Sequence, residues 1–590
     1  MTRRKKMVQL MIKIIDEIYK IIFQPIDIMY KIQAINNYKS KLNIDKSVEF
    51  SKIYSKYIQK NKIKGVVYTP KEIANFIIKN TINEEDVVNN PYIKIVDPAC
   101  GCGNIIIPCF NYIRKIYMKN LKQINSKFNL NLKEDNINKH IIENNLYGFD
   151  VDELALKILT IDLFCCSGQS NNNFFKKDFL LGDVDSKFDI FIANPPYIGK
   201  KSINKDYSKK LKNVYKDIYK DKSDLSYCFF QSALSKINKS GKLGFITSRY
   251  FLESPSGEEL RKVLKEICSI YKIVDFYGIR PFKNVGIDPV IIFLSNERLS
   301  NYDIEVIKPM QNKHRGKKEF YNSLFLSMGK EYNKFYLNKN LLNNKGWILR
   351  DEKERNIINK IEEKSFTNLR NICDSYQGII TGCDKAFVVN KKDIQNEKLE
   401  QDIIRPWIKS SYIQKNLVKK YDNYLIYSDF IHDVEKYPNS IKHIEEYKDK
   451  LMNRRECIRG VRKWYQLQWG RVHSIFESKK IVFPYKSNKN RFALDKGSFF
   501  SADVYCLILN KNVPFTYEYL LFLLNSKVYE FYFKTFAKKL GEDLYEYYPN
   551  NLMKLCIPTM FDFHNDEMEL YKFFELDEEE IRIIKENTKD

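Results

Sequence analysis

Apolar runs alternate with helical patterns between about residues 62 and 325 of this chain. Short runs at 93–96, 188–193, 242–247 and 289–294 are separated by stretches in which apolar residues recur every three to four positions. Strands that alternate with helices are typical of a parallel sheet built from strand–helix–strand units. We therefore predict an α/β fold with a doubly wound, mostly parallel, Rossmann-like sheet.

The pattern changes on either side of this region. Residues 1–60 predict basic amphipathic helices rather than a signal peptide, because charged residues interrupt the apolar stretch that follows the basic run at 3–6. Residues 330–350 are rich in Asn and Lys and predict a domain junction, beyond which apolar runs are shorter and aromatic residues more frequent. We predict a helical segment at 1–60, the α/β domain at 61–330 and an α+β domain at 331–590.

Composition narrows the class of function. A chain of 590 residues exceeds a single core, and its charge balance of 99 − 74 = +25 suits a polyanionic partner. An AT-rich coding bias towards lysine is the alternative explanation of that charge. The twelve cysteines form no Cys-x-x-Cys pair and the six histidines share no ligand spacing with them, so we expect no metal site. Scattered thiols suggest a reducing cytosol, and no run approaches the roughly 18 apolar residues of a membrane span.

The tetrapeptide Asn194–Tyr197, which follows the apolar run 188–193, carries candidate chemistry. Two consecutive prolines stiffen the loop and leave its carbonyl groups free to accept hydrogen bonds. Asn194 adds a side-chain acceptor, and Tyr197 adds a flat aromatic face. Two acceptors beside a ring can hold the exocyclic amino group of a planar base, which predicts methyl transfer to an amino nitrogen. The alternative is an ordinary turn at the end of a strand.

A second loop has the pattern of a nucleotide-binding turn. The run at 93–96 is followed by residues 97–104, which include Gly101 and Gly103, and then by an apolar helical stretch. In doubly wound sheets, ligands bind at such strand ends. Two further strand ends offer contacts for a nucleoside. Asp150 would accept hydrogen bonds from ribose hydroxyl groups, Asp178 would accept one from an adenine amino group, and Phe179 would contact the adenine ring.

With these motifs the chain resembles the γ-class, or Taq-type, S-adenosylmethionine-dependent DNA adenine methyltransferases. Asp97–Asn104 resembles their methionine-binding motif, Asn194–Tyr197 their catalytic motif, and Gly65–Pro70 the segment that closes over the methionine end of the cofactor. The motifs also follow the order of that class. Cys102, where the family commonly has Ser, departs from the pattern at a position expected to contact the ligand through its backbone.

The resemblance implies a cofactor and a mechanism. The residues expected to bind S-adenosyl-L-methionine, and its product S-adenosyl-L-homocysteine, are Tyr68, Thr69, Pro70, Asp97, Ala99, Gly101, Gly103, Asn104, Asp150, Val151, Asp178, Phe179 and Asn194. The residues expected to act on a flipped adenine are Asn194, Pro195, Pro196, Tyr197 and Phe282. Tyr197 would stack on the adenine, while the Asn194 side-chain oxygen and the Pro195 carbonyl would accept its two N–H bonds. Phe282 would supply a second aromatic face, with an ordinary core position as the alternative.

The C-terminal part resembles the specificity region of solitary clostridial adenine methyltransferases in five segments: 378–387, 453–457, 463–465, 468–471 and 484–488. Residues 453–471 hold five of the nineteen arginines and two of the four tryptophans, and arginine binds phosphates and guanine edges bidentately. We expect 61–330 to be the catalytic domain and 331–590 the target-recognition domain. The expected DNA-binding residues are Arg454, Arg455, Arg459, Arg462, Lys463, Trp464, Tyr465, Trp469, Arg471, Lys486 and Asn488. A solvated basic face packed on its own tryptophans is the alternative.

The resemblance further implies methylation of the final adenine on one strand of a short, asymmetric, CAAAAA-like duplex site, and epigenetic control linked to sporulation. We expect double-stranded DNA as the partner, no membrane, no obligate protein partner, and a cytoplasmic, nucleoid-associated monomer. A solitary enzyme is expected because no paired acidic-x-Lys nuclease motif is recognisable. The alternatives are a modification component of a restriction–modification system and an amino-methyltransferase of RNA or protein. A non-catalytic DNA-binding module would not need both loops.

Overall fold

The structure is a computed structural model that describes residues 3–61, 67–282, 286–310, 316–420, 422–541, 544–561, 564 and 566–588. It divides into two compact units, Met1–Leu349 and Arg350–Asp590. Among the helices of these ranges, none combines the length and the apolar character that crossing a membrane requires.

A nine-stranded sheet runs through the described part of the first unit. Its strands are β1 (Ile95–Asp97), β2 (Leu146–Asp150), β3 (Phe174–Lys176), β4 (Phe188–Ala193), β5 (Ile237–Ser248), β6 (Ser269–Asp275), β7 (Pro289–Ser295), β8 (Asp303–Pro309) and β9 (Tyr332–Asn338). The spatial order is β3-β2-β1-β4-β5-β7-β6-β8-β9. The first five strands are parallel neighbours, whereas β7 is antiparallel to both β5 and β6. The predicted doubly wound, mostly parallel class is confirmed.

The helices described in the first unit pack on this sheet or on one another. They are α1 (Arg3–Ile22), α2 (Ile28–Lys41), α3 (Phe50–Asn61), α4 (Lys71–Thr81), α5 (Glu84–Asn89), α6 (Ile106–Phe128), α7 (Ile137–Asn144), α8 (Glu153–Ser167), α9 (Lys205–Val214), α10 (Leu225–Lys236), α11 (Tyr250–Glu253), α12 (Glu258–Ile267) and α13 (Gly316–Phe325). Along β4, Ile190 and Ile192 belong to one buried apolar cluster, and Phe191 belongs to the other. This alternation explains why the strand is apolar throughout, since a strand buried on both faces has no polar side.

The N-terminal helices pack on α8. Ile15 and Ile18 of α1 are buried in one cluster with Ile158 and Ile161 of α8. α3 begins where the carboxylate of Asp162 accepts the backbone N–H groups of residues 50 and 51, at 2.9 and 2.8 Å. A carboxylate at this end of a helix satisfies amide groups that have no partner within the helix.

The first unit includes residues on both sides of the predicted domain boundary at 330/331. β9 pairs antiparallel with β8 along its whole length, so it belongs to the large sheet. The division of the chain falls after Leu349, within the junction predicted at 330–350. The functional labels given to the three predicted parts remain predictions.

Short helices and small sheets make up the second unit, in agreement with the predicted α+β class. Its helices are α14 (Glu352–Glu363), α15 (Leu369–Ile372), α16 (Asp384–Phe387), α17 (Lys391–Asn396), α18 (Pro438–Glu445), α19 (Lys448–Met452), α20 (Arg455–Ile458), α21 (Ser474–Glu477), α22 (Tyr517–Asn525), α23 (Lys527–Phe536), α24 (Pro549–Leu552), α25 (Glu567–Phe573) and α26 (Glu578–Asn587). Its strands are β10 (Ser365–Asn368), β11 (Cys373–Gln377), β12 (Val388–Val389), β13 (Ile404–Ile408), β14 (Ile413–Gln414), β15 (Leu417–Val418), β16 (Tyr424–Ile426), β17 (Lys479–Pro484), β18 (Lys486–Ser487), β19 (Ala493–Lys496), β20 (Phe499–Phe500), β21 (Val504–Leu509), β22 (Lys538–Leu540), β23 (Leu544–Glu546) and β24 (Cys556–Pro558). The sheet orders are β11-β21-β17-β19, β12-β16-β13-β20, β18-β23-β22, β10-β24 and β14-β15.

Candidate active site

The ends of four neighbouring strands open into one cavity of about 470 Å³ in the first unit. Because β1 to β4 are parallel, their carboxyl ends lie at the same edge of the sheet, and the strand order reverses at β1. The predicted site residues that line this cavity are Tyr68, Thr69, Asp97, Ala99, Gly101, Asn104, Asp150, Val151, Asp178, Phe179, Asn194 and Pro196. The topology therefore brings both sequence motifs to a single site.

The glycine turn after β1 is fixed by carboxylates from two strand ends. Asp97 Oδ1 accepts the backbone N–H of Ala99 at 3.0 Å, and Asp150 Oδ2 accepts that of Gly101 at 2.8 Å. Gly101 has a positive φ of +49°, a conformation that favours glycine. The turn is thus tied to β2, and its backbone faces the cavity.

Gly103 and Cys102 in the same turn serve different purposes. Gly103 does not line the cavity; a Cβ there would lie 2.2 Å from Leu159 Cδ1, so glycine is required for packing on α8. Cys102 does line the cavity, and burial raises the pKa of its thiol well above the usual value. The thiol is therefore neutral at ordinary pH, as a serine hydroxyl would be.

Four aspartates and one lysine, Lys177, line the cavity. Burial raises the pKa of Asp97 to about 8, with a further increase from Asp150, although the Ala99 N–H opposes the shift. Burial also raises the pKa of Asp150. Asp152 and Asp178 line the same space, and within the described residues the ion pairs involve none of these four carboxylates. A cationic ligand would relieve this repulsion.

Asn194 has a fixed side-chain orientation. Its Nδ2 donates to Thr69 Oγ1 at 3.0 Å and to the Val67 carbonyl at 3.3 Å. Its Oδ1 accepts a hydrogen bond from the Tyr197 hydroxyl. The carboxamide therefore links the catalytic motif to the closing segment, of which Gly65 and Val66 lie outside the described residues.

Five predicted site residues do not line the cavity: Pro70, Gly103, Pro195, Tyr197 and Phe282. Pro70 precedes the first residue of α4. Tyr197 and Phe282 are buried in the apolar core with ring centroids 6.3 Å apart, so in this structure neither ring presents a face to the cavity. Their stacking on a base remains a prediction.

One wall of the cavity, contributed by α3, was not predicted from the sequence. Ser51, Tyr54 and Ser55 line the cavity, and the Tyr54 hydroxyl donates to Asp152 Oδ2 at 2.5 Å. Burial raises the pKa of Asp162, which holds the start of α3, to about 6. An aspartate in the mostly apolar stretch 158–164 was the one signal that this helix receives a polar partner.

Tyr207 of α9 was also missed. It lines the cavity beside Asp178, and burial, followed by the Asp178 charge, raises the pKa of its hydroxyl. The surrounding residues are mostly lysines, so no pattern distinguished this tyrosine.

In the second unit, the predicted DNA-binding residues differ in exposure. Arg454 is buried, and its guanidinium donates to the carbonyl groups of Leu451, Thr381, Trp464 and Gln466 at 2.9–3.1 Å. These contacts give it a structural role.

The other members of the predicted set lie mostly at the surface. Arg462 pairs with Asp429 at 3.0 Å, and Tyr465 is buried with its ring against Trp464. Arg471 donates to Gln377 Oε1 at 2.9 Å. The exposed members of the set are Arg455, Arg459, Lys463, Trp469, Arg471, Lys486 and Asn488. Contact with DNA remains a prediction for them.

Three family models match parts of this chain. The Eco57I restriction-modification methylase matches residues 166–282, and the MmeI DNA-methyltransferase domain matches 89–184. Together these two matches cover the glycine turn and the Asn194 loop. The TaqI-like C-terminal specificity domain matches 430–557, which includes the arginine-rich segment.

Individual relatives agree with these matches. The chain is 24% identical over 541 residues to the type II methyltransferase M.BstVI of Geobacillus stearothermophilus, covering 86% of this chain and 92% of that protein. It is 24% identical over 494 residues to the type II methyltransferase M.BanIII of Aneurinibacillus aneurinilyticus, covering 76% and 81%. The type IIL restriction-modification enzyme MmeI, solved in complex with DNA, shares the fold with a TM-score of 0.52 at 13% identity, over 86% of this chain and 67% of that one. The chain is thus similar to type II DNA methyltransferases over most of its length, with a match to the Eco57I methylase in its first unit and to the TaqI-like specificity domain in its second.

Proposed function

We propose that the protein is a site-specific DNA adenine-N6 methyltransferase that uses S-adenosyl-L-methionine. One observation carries the proposal: Asn194, the acceptor of the catalytic motif, lines the same cavity as Asp97 and Asp150 of the cofactor motifs. A cofactor pocket alone would fit many enzymes. The acceptor loop at its edge favours an amino group as the substrate.

The cavity suits this cofactor in size and in charge. A volume of about 470 Å³ lies within the range of roughly 300–1,000 Å³ usual for small-ligand sites. S-adenosyl-L-methionine carries a sulfonium and an ammonium group, which fit a space lined by unpaired carboxylates. We assign its methionine end to Asp97 and the glycine turn, its ribose to Asp150 and its adenine to Asp178. When bound, it supplies an activated methyl group.

Residues of the catalytic motif orient the target nitrogen. The amide N–H bonds to Thr69 and Val67 keep Asn194 Oδ1 on the side of Tyr197. A carbonyl oxygen has two lone pairs, so Oδ1 can accept an adenine N–H while it accepts the Tyr197 hydroxyl. The Pro195 carbonyl accepts the second N–H, and the two acceptors set the direction of the nitrogen lone pair. A base inside a duplex must first be flipped out to reach these groups.

The finer parts of the proposal come from the motif resemblance. They are adenine as the target base, a CAAAAA-like site, a solitary monomeric enzyme acting on cytoplasmic DNA, and a role in epigenetic control linked to sporulation. The exposed arginines of the second unit support DNA as the partner, because the guanidinium group binds phosphates and guanine edges.

The direct test uses isotope-labelled S-adenosyl-L-methionine with duplex DNA, RNA and total protein as separate acceptors. We expect label in N6-methyladenine of duplex DNA, identified by mass spectrometry of the nucleosides. Label in methylcytosine would refute the adenine assignment, and label confined to RNA or protein would refute the DNA assignment.

The second candidate is the modification component of a restriction–modification system. It is favoured by the Eco57I restriction-modification methylase match over residues 166–282. Methylome sequencing of a host that expresses the chain identifies the methylated site, and incubation of unmethylated DNA with the protein and Mg²⁺ tests for cleavage. Cleavage by the protein itself would refute a solitary methyltransferase, and protection of the methylated site from a nuclease of the same host would favour the modification component.

A further inference from the structure

A compact turn at Arg455–Val461 lies at the surface of the second unit. α20 ends at Ile458, and the chain reverses at Gly460, whose φ is +68°. The backbone N–H of Val461 returns to the Glu456 carbonyl at 2.9 Å. A Cβ at Gly460 would meet no atom within 4 Å, so the tip of the turn faces open space.

The turn is held at both ends by arginines that have protein partners. Arg454, immediately before it, is buried with its guanidinium on four backbone carbonyl groups. Arg462, immediately after it, donates to Asp429 at 3.0 Å. A turn anchored in this way is preorganised, so a partner that binds it loses little conformational entropy.

The tip displays apolar and cationic side chains together. Ile458 is 72% exposed and Val461 is 62% exposed. Arg455 and Arg459 are exposed as well, and neither takes part in an ion pair within the ranges that the structure describes. Single exposed apolar residues are common on protein surfaces. Here two of them belong to one anchored turn that also carries two arginines without an ion pair in the described part of the chain, and this combination matches a partner surface that is both charged and partly apolar.

We propose that residues 455–461 form a wedge that enters a groove of duplex DNA. Ile458 and Val461 lie against the bases, and Arg455 and Arg459 bind phosphates on either side. The inference rests on the proposed function, because it takes DNA as the partner. Guanidinium groups bind the backbone regardless of sequence, while apolar side chains pressed into a groove respond to the shape and deformability of the base steps. The wedge thus divides affinity and specificity between two kinds of residue.

The test is the double variant Ile458→Ala/Val461→Ala, which keeps every charge of the wedge. Dissociation constants are measured by fluorescence anisotropy at several KCl concentrations. One duplex contains the site that the protein methylates, and the other has the same composition in shuffled order. We expect about tenfold or more weaker binding to the methylation site and unchanged binding to the shuffled duplex. The salt dependence of both should be unchanged, because no phosphate contact is lost.

The matched control is Leu417→Ala, because Leu417 is a 55% exposed aliphatic residue of β15 in the same unit. It should bind both duplexes as the wild type does, and both variants should unfold at the wild-type temperature. An equal loss of affinity for the two duplexes, or no loss of affinity, would refute the wedge. The proposed function would still stand in that case if the wild-type protein methylated DNA. A wild-type protein that neither bound nor methylated DNA would refute the proposed function itself.

Discussion

The cavity of the first unit and the arginine-rich segment 453–471 of the second unit differ in where their ionisable groups without an ion-pair partner lie. The cavity keeps its unpaired carboxylates inside, with Asp97 only 2% exposed. In the segment, the guanidinium of Arg454 donates to backbone carbonyl groups and Arg462 pairs with Asp429, whereas Arg455 and Arg459 lie at the surface without an ion pair among the described residues. Enclosed carboxyl groups suit a small cation, which favours their ionised form when it binds, whereas exposed cationic groups suit a polyanion that lies along the surface. Ionisable groups without an ion-pair partner therefore indicate where each proposed partner, the cofactor or the DNA, would bind.

The largest effect is expected at the acceptor of the cavity. Asn194→Ala should lower the rate of methyl transfer roughly 100-fold or more, because an oriented hydrogen-bond partner at the reacting group is lost. Cofactor affinity should stay near the wild-type value. Single-turnover rates and calorimetric titration measure the two quantities, and Asn213→Ala, at an exposed position of α9, is the control. Survival of activity would remove Asn194 from the mechanism.

Two adjacent arginines test the contrast within the segment. Arg454→Met should lower the free energy of unfolding by roughly 3 kcal/mol, since several buried carbonyl groups lose their donor. Arg455→Met, at the exposed neighbouring position, should change it by no more than about 0.5 kcal/mol. Urea titration of the full chain measures both, and equal effects would contradict the division into anchoring and displayed arginines.

The buried charge of the cavity predicts a pH dependence. Burial raises the pKa of Asp97 to about 8, so the free protein holds this carboxyl mostly protonated at neutral pH. A cationic ligand favours the ionised form, and its binding therefore releases a proton. Cofactor affinity should rise with pH by up to about tenfold per unit and level off above about pH 8.

Calorimetry between pH 6 and 8, in buffers of different ionisation enthalpy, measures both the affinity and the proton release. Asp97→Asn is the matched control, because it cannot release that proton and should lose the dependence. An Asn variant that retained the wild-type slope would show that another group titrates.

The smallest effect concerns the displayed charges. Arg455→Ala/Arg459→Ala should reduce the slope of log Kd against log salt by about 2, because roughly one counterion is released for each phosphate contact. Affinity for unrelated duplexes should fall together with affinity for the methylation site. Arg370→Ala, at an exposed position of α15, should leave the slope unchanged; a similar decrease there would mean that the effect is general charge.

The cavity could be predicted from the sequence because parallel topology determines where strand ends meet. Once β1, β2 and β4 are recognised, Asp97, Asp150 and Asn194 must lie at one edge of the sheet. The reversed direction of β7 could not be predicted, since an apolar run has the same composition in either direction.

Contacts between distant parts of the chain could not be predicted from the sequence either. Tyr54 reaches Asp152 across 98 residues, and no local pattern encodes that pairing. Arg454 and Arg455 are neighbours with identical side chains, yet a contact with Thr381 buries the first alone. A high density of arginines in the sequence can locate such a segment, but it cannot show which arginines are buried in the fold and which are free to contact a partner.

The attachment of α3 to Asp162 has a practical consequence. An amino-terminal truncation that removed the first three helices, intended to yield a more compact enzyme for crystallography, would also strip Ser51, Tyr54 and Ser55 from the cavity wall. Such a fragment should keep its large sheet but capture its methyl donor poorly, and a screen that scored only expression would overlook the defect.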